Sequence, residues 1–366
     1  MIPVVLIDLA HPHRHIDTAL KELAEIQSLI KTYGGVDVAR IIQHREKPDR
    51  ATFIGSGKVQ ELISIVEKEK VSIVIVNALA NPIQLQNLTE SLWSVNPDIQ
   101  VWDRIDLILN IFEKHAKTAE SRLQIEIARM HHMGNRIYGL GTYFSRQGGG
   151  IGTKGLGQTN IERMKLHHRQ QIKKKQDELS KLEKNRERQM LRRRENGVYS
   201  ISIVGYTNAG KSSLFNILTG KNREVQNALF VTLDSVSGKL QNHSGKEILI
   251  SDTIGFIRNL PPSLIGTFKS TLMESIYADT LLHVIDSSDE KIAMKIETVQ
   301  QILKDLGMSD KKSILVFNKV DTVSPERKEE LQLLAKKFSQ DKPLFISAIT
   351  QEGIPYLKDA LLDYAG

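Results

Sequence analysis

The stretch Gly205–Ser213, which reads GYTNAGKSS, places two glycines, a lysine and a serine in the order G-x-x-x-x-G-K-S. Glycines at this spacing let backbone N–H groups wrap a phosphate, and a helix that begins at the lysine adds the positive end of its dipole. The apolar run Tyr199–Gly205 predicts a strand, and the residues that follow the motif predict a helix. This strand–turn–helix context is the one that the motif requires, so the sequence predicts a phosphate-binding loop for a nucleotide.

Two other glycine-rich stretches could be mistaken for such a loop. The stretch Gly148–Gly157 has no strand before it, and Lys154 is not followed by serine or threonine. The stretch Gly55–Lys58 lacks the leading glycine, and we expect it to be the turn into a helix. Neither stretch has the context of a phosphate-binding loop.

Five residues carry the predicted chemistry at phosphate and Mg²⁺. Lys211 would reach the β- and γ-phosphates, and Ser212 would ligate Mg²⁺. Asp252 ends a predicted strand and would hold Mg²⁺ through water, while the amide of Gly255 would meet the γ-phosphate. Thr232 is the candidate switch threonine that ligates Mg²⁺ when the triphosphate is bound. The predicted catalytic residues are Lys211, Thr232 and Gly255. The predicted Mg²⁺ ligands are Ser212, Thr232 and Asp252.

The base is predicted to be guanine. The stretch Asn318–Asp321 reads NKVD and follows an apolar run. The Asp321 carboxylate can accept hydrogen bonds from N1 and N2 of guanine, which adenine does not offer in that arrangement. The aliphatic stem of Lys319 can lie against the base, and Ser347-Ala348 can offer a backbone amide to guanine O6. The complete predicted nucleotide site is Gly205, Tyr206, Thr207, Asn208, Ala209, Gly210, Lys211, Ser212, Ser213, Asp252, Gly255, Asn318, Lys319, Asp321, Ser347 and Ala348.

Phe256 stands where many GTPases carry a glutamine that orients the attacking water. A phenyl ring cannot orient water by hydrogen bonding. Hydrolysis is therefore slow, or another group positions the water, or a partner completes the site. We favour slow intrinsic turnover with activation by a partner.

Asn208 lies inside the phosphate-binding loop. Its side chain could help to hold a monovalent cation such as K⁺ between the phosphates. The alternative is that Asn208 is a turn residue, and the sequence leaves both interpretations open.

The excess positive charge lies in one segment. The chain has 366 residues and a net charge of +7, and residues 161–200 hold 13 Lys or Arg against 6 Asp or Glu. Such a segment is either a solvated helix face or the footprint of a polyanion such as nucleic acid.

Strand and helix patterns divide the chain into three predicted domains. Residues 1–101 alternate strand and helix, which predicts a mostly parallel α/β sheet. Residues 102–197 predict a long antiparallel helical hairpin whose Gly-rich loop, 134–158, is expected to lack fixed structure. Residues 198–366 predict a doubly wound α/β domain around the phosphate-binding loop.

Composition restricts the setting. The chain has no cysteine, which excludes disulfides and thiolate sites and suits a reducing cytoplasm. Its N-terminal apolar run predicts a buried strand rather than a signal peptide, and no apolar run approaches the length of a membrane span. We expect a cytoplasmic monomer without a membrane anchor.

The chain resembles the HflX family of GTPases over nearly its whole length. The residues that carry the resemblance are Phe53–Leu62, Asp103–Ala128, Gly148–Glu162, Gly205–Asn216 and Asp252–Pro261. The resemblance implies a GTPase that uses GTP, GDP and Mg²⁺ and associates with the large ribosomal subunit and its RNA. It further implies the rescue or splitting of stalled ribosomes under stress.

The implied RNA contacts come from the hairpin and its loop. Arg136, Arg146 and Lys154 suit phosphate, and three aromatic residues, Tyr138, Tyr143 and Phe144, could stack on bases or pack back on the hairpin. A second interpretation is an RNA-remodelling or ribosome-assembly protein in which the GTPase is a timer. A third is a regulatory GTPase with a protein partner, which the residues favour least.

Overall fold

The structure is a computed structural model. It describes residues 1–13, 23–147, 156–222, 229–230, 235–240, 247–253, 255–257, 264, 272–339 and 341–365, without the side chains of 135–161. The chain forms two compact units. Unit 1 comprises Met1–Lys114 and Arg122–Leu179, and unit 2 comprises His115–Ser121 and Ser180–Gly366. The predicted boundaries after residues 101 and 197 stay predictions.

In the part of unit 1 that the structure describes, the sheet has four parallel strands in the order β2-β1-β3-β4. The two inner strands are the most apolar, and every residue of β3 is buried, as expected for strands covered on both faces. The strands and the helices that connect them are β1 (Ile2–Ala10), α1 (Ala24–Tyr33), β2 (Gly35–His44), α2 (Ser56–Glu69), β3 (Ile73–Val76), α3 (Pro82–Leu92) and β4 (Gln100–Asp103). The predicted helix-entry turn at Gly55–Lys58 is confirmed, because Gly55 is the N-cap of α2.

The long helix predicted after Asp103 is wrong in one respect, because the structure divides it into α4 (Arg104–His115) and α5 (Ala119–Gln147). Thr118 explains the division: its hydroxyl accepts a hydrogen bond from the Ser121 N–H at 3.1 Å, which starts a new helix.

The hairpin itself is present. Helix α6 runs from Leu156 to Glu195, and Lys175 pairs with Glu126 at 2.6 Å while His168 contacts the Met130 carbonyl at 2.9 Å. As the residue number increases along α5, the number of the contacting residue on α6 decreases, so the helices are antiparallel.

Helix also occupies both ends of the predicted loop 134–158, because α5 extends to Gln147 and α6 begins at Leu156. The expected lack of structure is therefore wrong for those ends. No proline lies between Gly134 and Gln147, and isolated glycines weaken a helix without ending it. Residues 148–155, with Lys154, lie outside the described residues, as do the side chains of the other proposed RNA contacts.

Among the described residues, the sheet of unit 2 has six strands in the order β10-β9-β8-β5-β7-β6, and of these only β6 is antiparallel to its neighbour. Sequence analysis missed β6, whose residues Val-Ser-Gly-Lys show no apolar alternation. The elements are β5 (Tyr199–Gly205), α7 (Lys211–Thr219), β6 (Val236–Lys239), β7 (Ile248–Asp252), α8 (Met273–Tyr277), β8 (Thr280–Asp286), α9 (Ile292–Asp305), β9 (Lys312–Asn318), a 3₁₀ turn (Val320–Thr322), α10 (Pro325–Ala335), β10 (Leu344–Phe345) and α11 (Ile354–Tyr364).

Strand order decides where a site can form in unit 2. Strand β5 lies between β7 and β8, so the carboxyl ends of three parallel strands meet around the end of β5. Ligands of open α/β sheets bind at this edge.

Unit 1 contains a buried cluster of one histidine and two carboxylates. Asp103 and Asp106 cap α4 reciprocally, since each carboxylate accepts the other residue's backbone N–H at 2.9 and 3.0 Å. His132 Nε2 of α5 lies 3.1 Å from Asp103 and 3.4 Å from Asp106. Burial alone would lower the pKa of His132, but the two carboxylates raise it to about 9.

We expect His132→Gln to destabilise unit 1 by about 2 kcal/mol near pH 7, after allowance for solvent screening. The folded pKa of about 9 exceeds the ordinary value of 6.5, so this stabilisation is complete below pH 6.5 and is lost as pH rises through 9. Both tryptophans, Trp93 and Trp102, lie in unit 1, so urea unfolding followed by tryptophan fluorescence measures this unit.

The control is His131→Gln, which removes the exposed neighbouring imidazole and should leave the urea midpoint unchanged. A difference between wild type and His132→Gln that stayed the same at pH 7 and pH 9.5 would contradict a charged His132.

Candidate nucleotide-binding site

The phosphate-binding loop requires glycine at both ends. Gly205 ends β5 at φ 147°, and a Cβ there would lie 2.3 Å from the Val284 carbonyl oxygen. Gly210 precedes α7 at φ 91°, and a Cβ there would lie 2.2 Å from Asn318 Nδ2. Any larger residue would collide with β8 or with the NKVD loop.

Lys211 is the buried cation of this loop. Its ammonium donates to the Tyr206 carbonyl at 2.7 Å, and the side chain is 7% exposed. Burial lowers the pKa of Lys211 to about 8, although the Asp252 carboxylate opposes the shift. A Cβ on Gly255 would lie 2.9 Å from Thr207 Cα and 2.7 Å from Lys211 Nζ, so glycine lets this backbone pack closely against the phosphate-binding loop.

Two of the three predicted Mg²⁺ ligands contact each other. The Ser212 hydroxyl at the start of α7 donates to Asp252 Oδ2 at 2.7 Å, and Asp252 is fully buried at the end of β7. The hydroxyl and the carboxylate offer the oxygen ligands that Mg²⁺ prefers, and the buried ammonium beside them can pair with phosphate. The third predicted ligand, Thr232, lies outside the described residues.

Asn318 joins three loops of the site. Its amide nitrogen donates to the Ala209 carbonyl of the phosphate-binding loop at 2.9 Å. Its amide oxygen accepts the Ala348 backbone N–H at 2.9 Å. The sequence predicted that a backbone amide of Ser347-Ala348 meets guanine O6, and this role stays a prediction. The Ser347 hydroxyl accepts from Ile349 and Thr350, which fixes the turn that carries this amide.

The predicted base-contacting residues lie beside Asn318. Lys319 has a left-handed backbone with φ 66°, and Asp321 is exposed in the 3₁₀ turn. The loop residues Tyr206 and Thr207 are buried, while Asn208 is exposed at φ 64°, a conformation that asparagine tolerates. That turn geometry leaves the K⁺ interpretation open.

Phe256 is part of the core. The ring is 1% exposed, and its backbone pairs with the phosphate-binding loop: Phe256 N–H donates to Gly205 at 3.1 Å, and Thr207 N–H donates to Phe256 at 2.8 Å. The residue after Gly255 therefore packs inward and presents no polar group to a water.

Sequence analysis missed two residues of β8. Asp286 ends the strand and holds Lys319 Nζ at 2.5 Å. Burial alone would raise the pKa of Asp286, but the hydrogen bonds from Lys319 and Ser288 bring it below its ordinary value. His283 is buried, and burial, with Lys211 nearby, lowers its pKa to about 3, so it is neutral. The rule that chemistry collects at strand ends could have found Asp286, whereas no sequence signal marks His283.

A glycine-bounded loop with a buried lysine, a serine–aspartate pair and an NKVD loop, all at one sheet edge, defines a P-loop GTPase. Family models match along the chain: a GTP-binding GTPase N-terminal domain at residues 20–113, a GTP-binding GTPase middle region at 115–193 and a 50S ribosome-binding GTPase domain at 200–319. The chain belongs to the HflX family of GTPases, as the relatives below establish.

Two relatives and one solved structure illustrate the similarity. The chain is 40% identical to GTPase HflX of Caldanaerobacter subterraneus, over 93% of this chain and 76% of that protein. It is 35% identical to GTPase HflX of Escherichia coli, over 97% and 82%. The crystal structure of SsGBP with GDP aligns over 100% of this chain and 98% of that one, with a TM-score of 0.58 and 25% identity.

The α/β fold and the HflX resemblance are thereby confirmed, and the protein binds and hydrolyses GTP as a member of this family. The roles of individual site residues remain predictions. Among the helices of the described residues, none combines the length and apolar composition needed to cross a membrane.

We predict that Asp286→Asn weakens GDP binding about tenfold, because Lys319 loses the carboxylate that holds its stem in place. Fluorescent GDP titration measures this change. Asp359→Asn is the control, since it removes an exposed carboxylate of α11 in the same unit. Equal affinities in both variants would refute a positioning role for Asp286.

We also predict that GDP binding takes up about half a proton at pH 8, because phosphate raises the pKa of Lys211 from about 8. Calorimetry in two buffers of different ionisation enthalpy measures the uptake. At pH 7 the contribution of Lys211 should fall to about a tenth of a proton. An uptake that does not rise between these pH values would show that Lys211 is already charged in the free protein.

Proposed function

We propose that this GTPase binds the large ribosomal subunit in its GTP form and leaves after hydrolysis. The observation that carries the proposal is the surface of α6. This helix exposes ten basic side chains: Arg163, Arg169, Lys173, Lys174, Lys181, Lys184, Arg188, Arg192, Arg193 and Arg194. A long row of exposed cations suits the phosphates of an RNA helix. The similarity of residues 200–319 to a 50S ribosome-binding GTPase family supports the same partner.

The nucleotide would act as the switch. GTP-bound Mg²⁺ would be held by Ser212 and Thr232, with Asp252 acting through water, and the γ-phosphate would draw in the Gly255 amide. Those contacts order loops that relax on hydrolysis, which couples nucleotide state to affinity for the partner. The Asn208 side chain would help to hold a K⁺ ion between the phosphates.

Hydrolysis is expected to be slow without the partner. The position after Gly255 holds the buried Phe256, so this position supplies no group that orients water. The ribosome would complete the site and stimulate turnover.

The further role we propose is the splitting or rescue of stalled ribosomes under stress. Binding energy would drive splitting, and hydrolysis would reset the factor. Splitting that fails with a non-hydrolysable GTP analogue would contradict this order of events.

A second candidate is an RNA-remodelling or ribosome-assembly GTPase, and the same basic surface of α6 supports it. The two candidates differ in the ligand that stimulates hydrolysis. Intact subunits stimulate the first, whereas free ribosomal RNA suffices for the second.

The test measures GTP hydrolysis by the protein alone, with purified large subunits, with intact ribosomes and with free ribosomal RNA. We predict strong stimulation by large subunits and weak stimulation by free RNA. Sedimentation of the same mixtures shows whether intact ribosomes separate. A rate of GTP hydrolysis that is unchanged by large subunits would contradict the ribosomal role but not the GTPase activity.

We predict that Lys173→Ala with Lys174→Ala weakens binding to large subunits about tenfold and makes binding less sensitive to salt. With fewer phosphate contacts, binding releases fewer counterions from the RNA, and this lowers the salt dependence of the affinity. The matched control is Lys336→Ala with Lys337→Ala, which removes two exposed lysines from unit 2 after α10. Equal loss in both double variants would indicate a non-specific charge effect.

A further inference from the structure

A single guanidinium on α6 joins three separate parts of unit 2. Arg186 Nη1 lies 3.1 Å from the Glu120 carboxylate, at the start of α5. Nη2 donates to the Ser235 hydroxyl and lies 3.5 Å from the Glu274 carboxylate of α8. The Arg186 side chain is 23% exposed, and those of Glu120 and Glu274 are 15% and 12% exposed, so solvent screens these pairs only partly.

Two of these partners follow the segments that should respond to nucleotide. Ser235 lies three residues after Thr232, the predicted switch ligand of Mg²⁺, and directly before β6. Glu274 belongs to α8, which follows the Asp252–Gly255 segment further along the chain. The Arg186 guanidinium therefore contacts the chain downstream of both predicted switch segments.

A second contact links the same two helices independently. The Tyr277 hydroxyl of α8 donates to the carboxylate of Glu187, the neighbour of Arg186 on α6. That hydrogen bond, with burial, raises the pKa of Tyr277, so the phenol keeps its proton. Glu274 and Tyr277 are one helical turn apart, so consecutive residues of α6 hold one face of α8.

An open cleft lies beside this contact. The cleft, of about 360 Å³, lies next to Tyr277 and is lined by residues of α6 and α8. Two helices held by polar contacts across a cleft can change their spacing with less repacking than a filled apolar interface.

We propose that Arg186 is a positioning residue that couples α6 to the nucleotide bound in unit 2. The inference rests on the proposed switch role of Thr232 and the Gly255 loop. Arg186 holds Ser235 and Glu274, which follow the two segments in the chain, so fewer conformations of the segments remain to be lost when GTP orders them. Coupling is reciprocal, so a partner that binds α6 and favours this arrangement raises the affinity for GTP.

The test compares the affinity of the full-length protein for a non-hydrolysable GTP analogue with its affinity for GDP, without any ribosome. In Arg186→Gln the affinity for the GTP analogue should fall about fivefold while that for GDP stays constant, because GDP does not order the switch segments. Arg186→Lys should lose less, since one ammonium keeps the charge but not the fork. The control is Arg188→Gln, which removes an exposed cation of the same helix and should change neither affinity.

A second variant guards against misfolding. Tyr277→Phe removes only the hydroxyl that reaches Glu187 and should shift the affinity ratio in the same direction by about twofold. Equal ratios in wild type, Arg186→Gln and Tyr277→Phe would overturn the proposal. So would an equal loss of both nucleotides in folded Arg186→Gln, which would mark a purely structural role. No ribosome is present in this experiment, so its result does not depend on whether ribosomes stimulate hydrolysis.

Discussion

The Asn318 side chain makes the two hydrogen bonds on which the nucleotide site depends. The amide nitrogen donates to the Ala209 carbonyl, and the amide oxygen accepts the Ala348 N–H. These bonds fix the positions of three loops that come from distant parts of the chain. The side chain is 1% exposed, where a polar group left without a partner costs roughly 1–3 kcal/mol. Gly210 is glycine because the Asn318 amide occupies the space that a Cβ would need. The amide of Asn318 thus joins the loop predicted to bind phosphate to the loops predicted to bind the base.

The rest of unit 2 follows from this constraint. Strand β5 lies at the centre of the sheet, so the loops that leave β5, β7 and β9 reach the same edge. The Ser212–Asp252 contact and the Lys211 ammonium lie there because their elements start or end at that edge. Within the same unit, Arg186 of α6 contacts Glu120 and Glu274. The part of α6 that belongs to unit 2 also exposes basic side chains, among them Arg188 and Arg192.

The part of the site that the sequence could predict is the part made by local spacing. The predicted phosphate-binding loop Gly205–Ser213 is contiguous because neighbouring amides would wrap the phosphate. The NKVD loop is contiguous because neighbouring side chains would contact one base. The alternation of strands and helices likewise predicted both sheets, apart from the antiparallel strand β6. The division of the long helix at Thr118 escaped because a threonine cap resembles any exposed helix residue until its hydrogen bond to Ser121 is seen. Contacts across many residues, such as Asp286 with Lys319 or Arg186 with Glu274, leave no periodic signal.

The most direct test of guanine recognition at this edge changes the base and the residue together. Xanthine carries an oxygen where guanine carries its 2-amino group, so Asp321→Asn should donate to xanthine where Asp321 accepts from guanine. The measurement is the affinity of wild type and Asp321→Asn for GDP and XDP. We predict that wild type prefers GDP and that Asp321→Asn prefers XDP. A variant that kept the wild-type preference would contradict the placement of the base at Asp321 and with it the site described around Asn318.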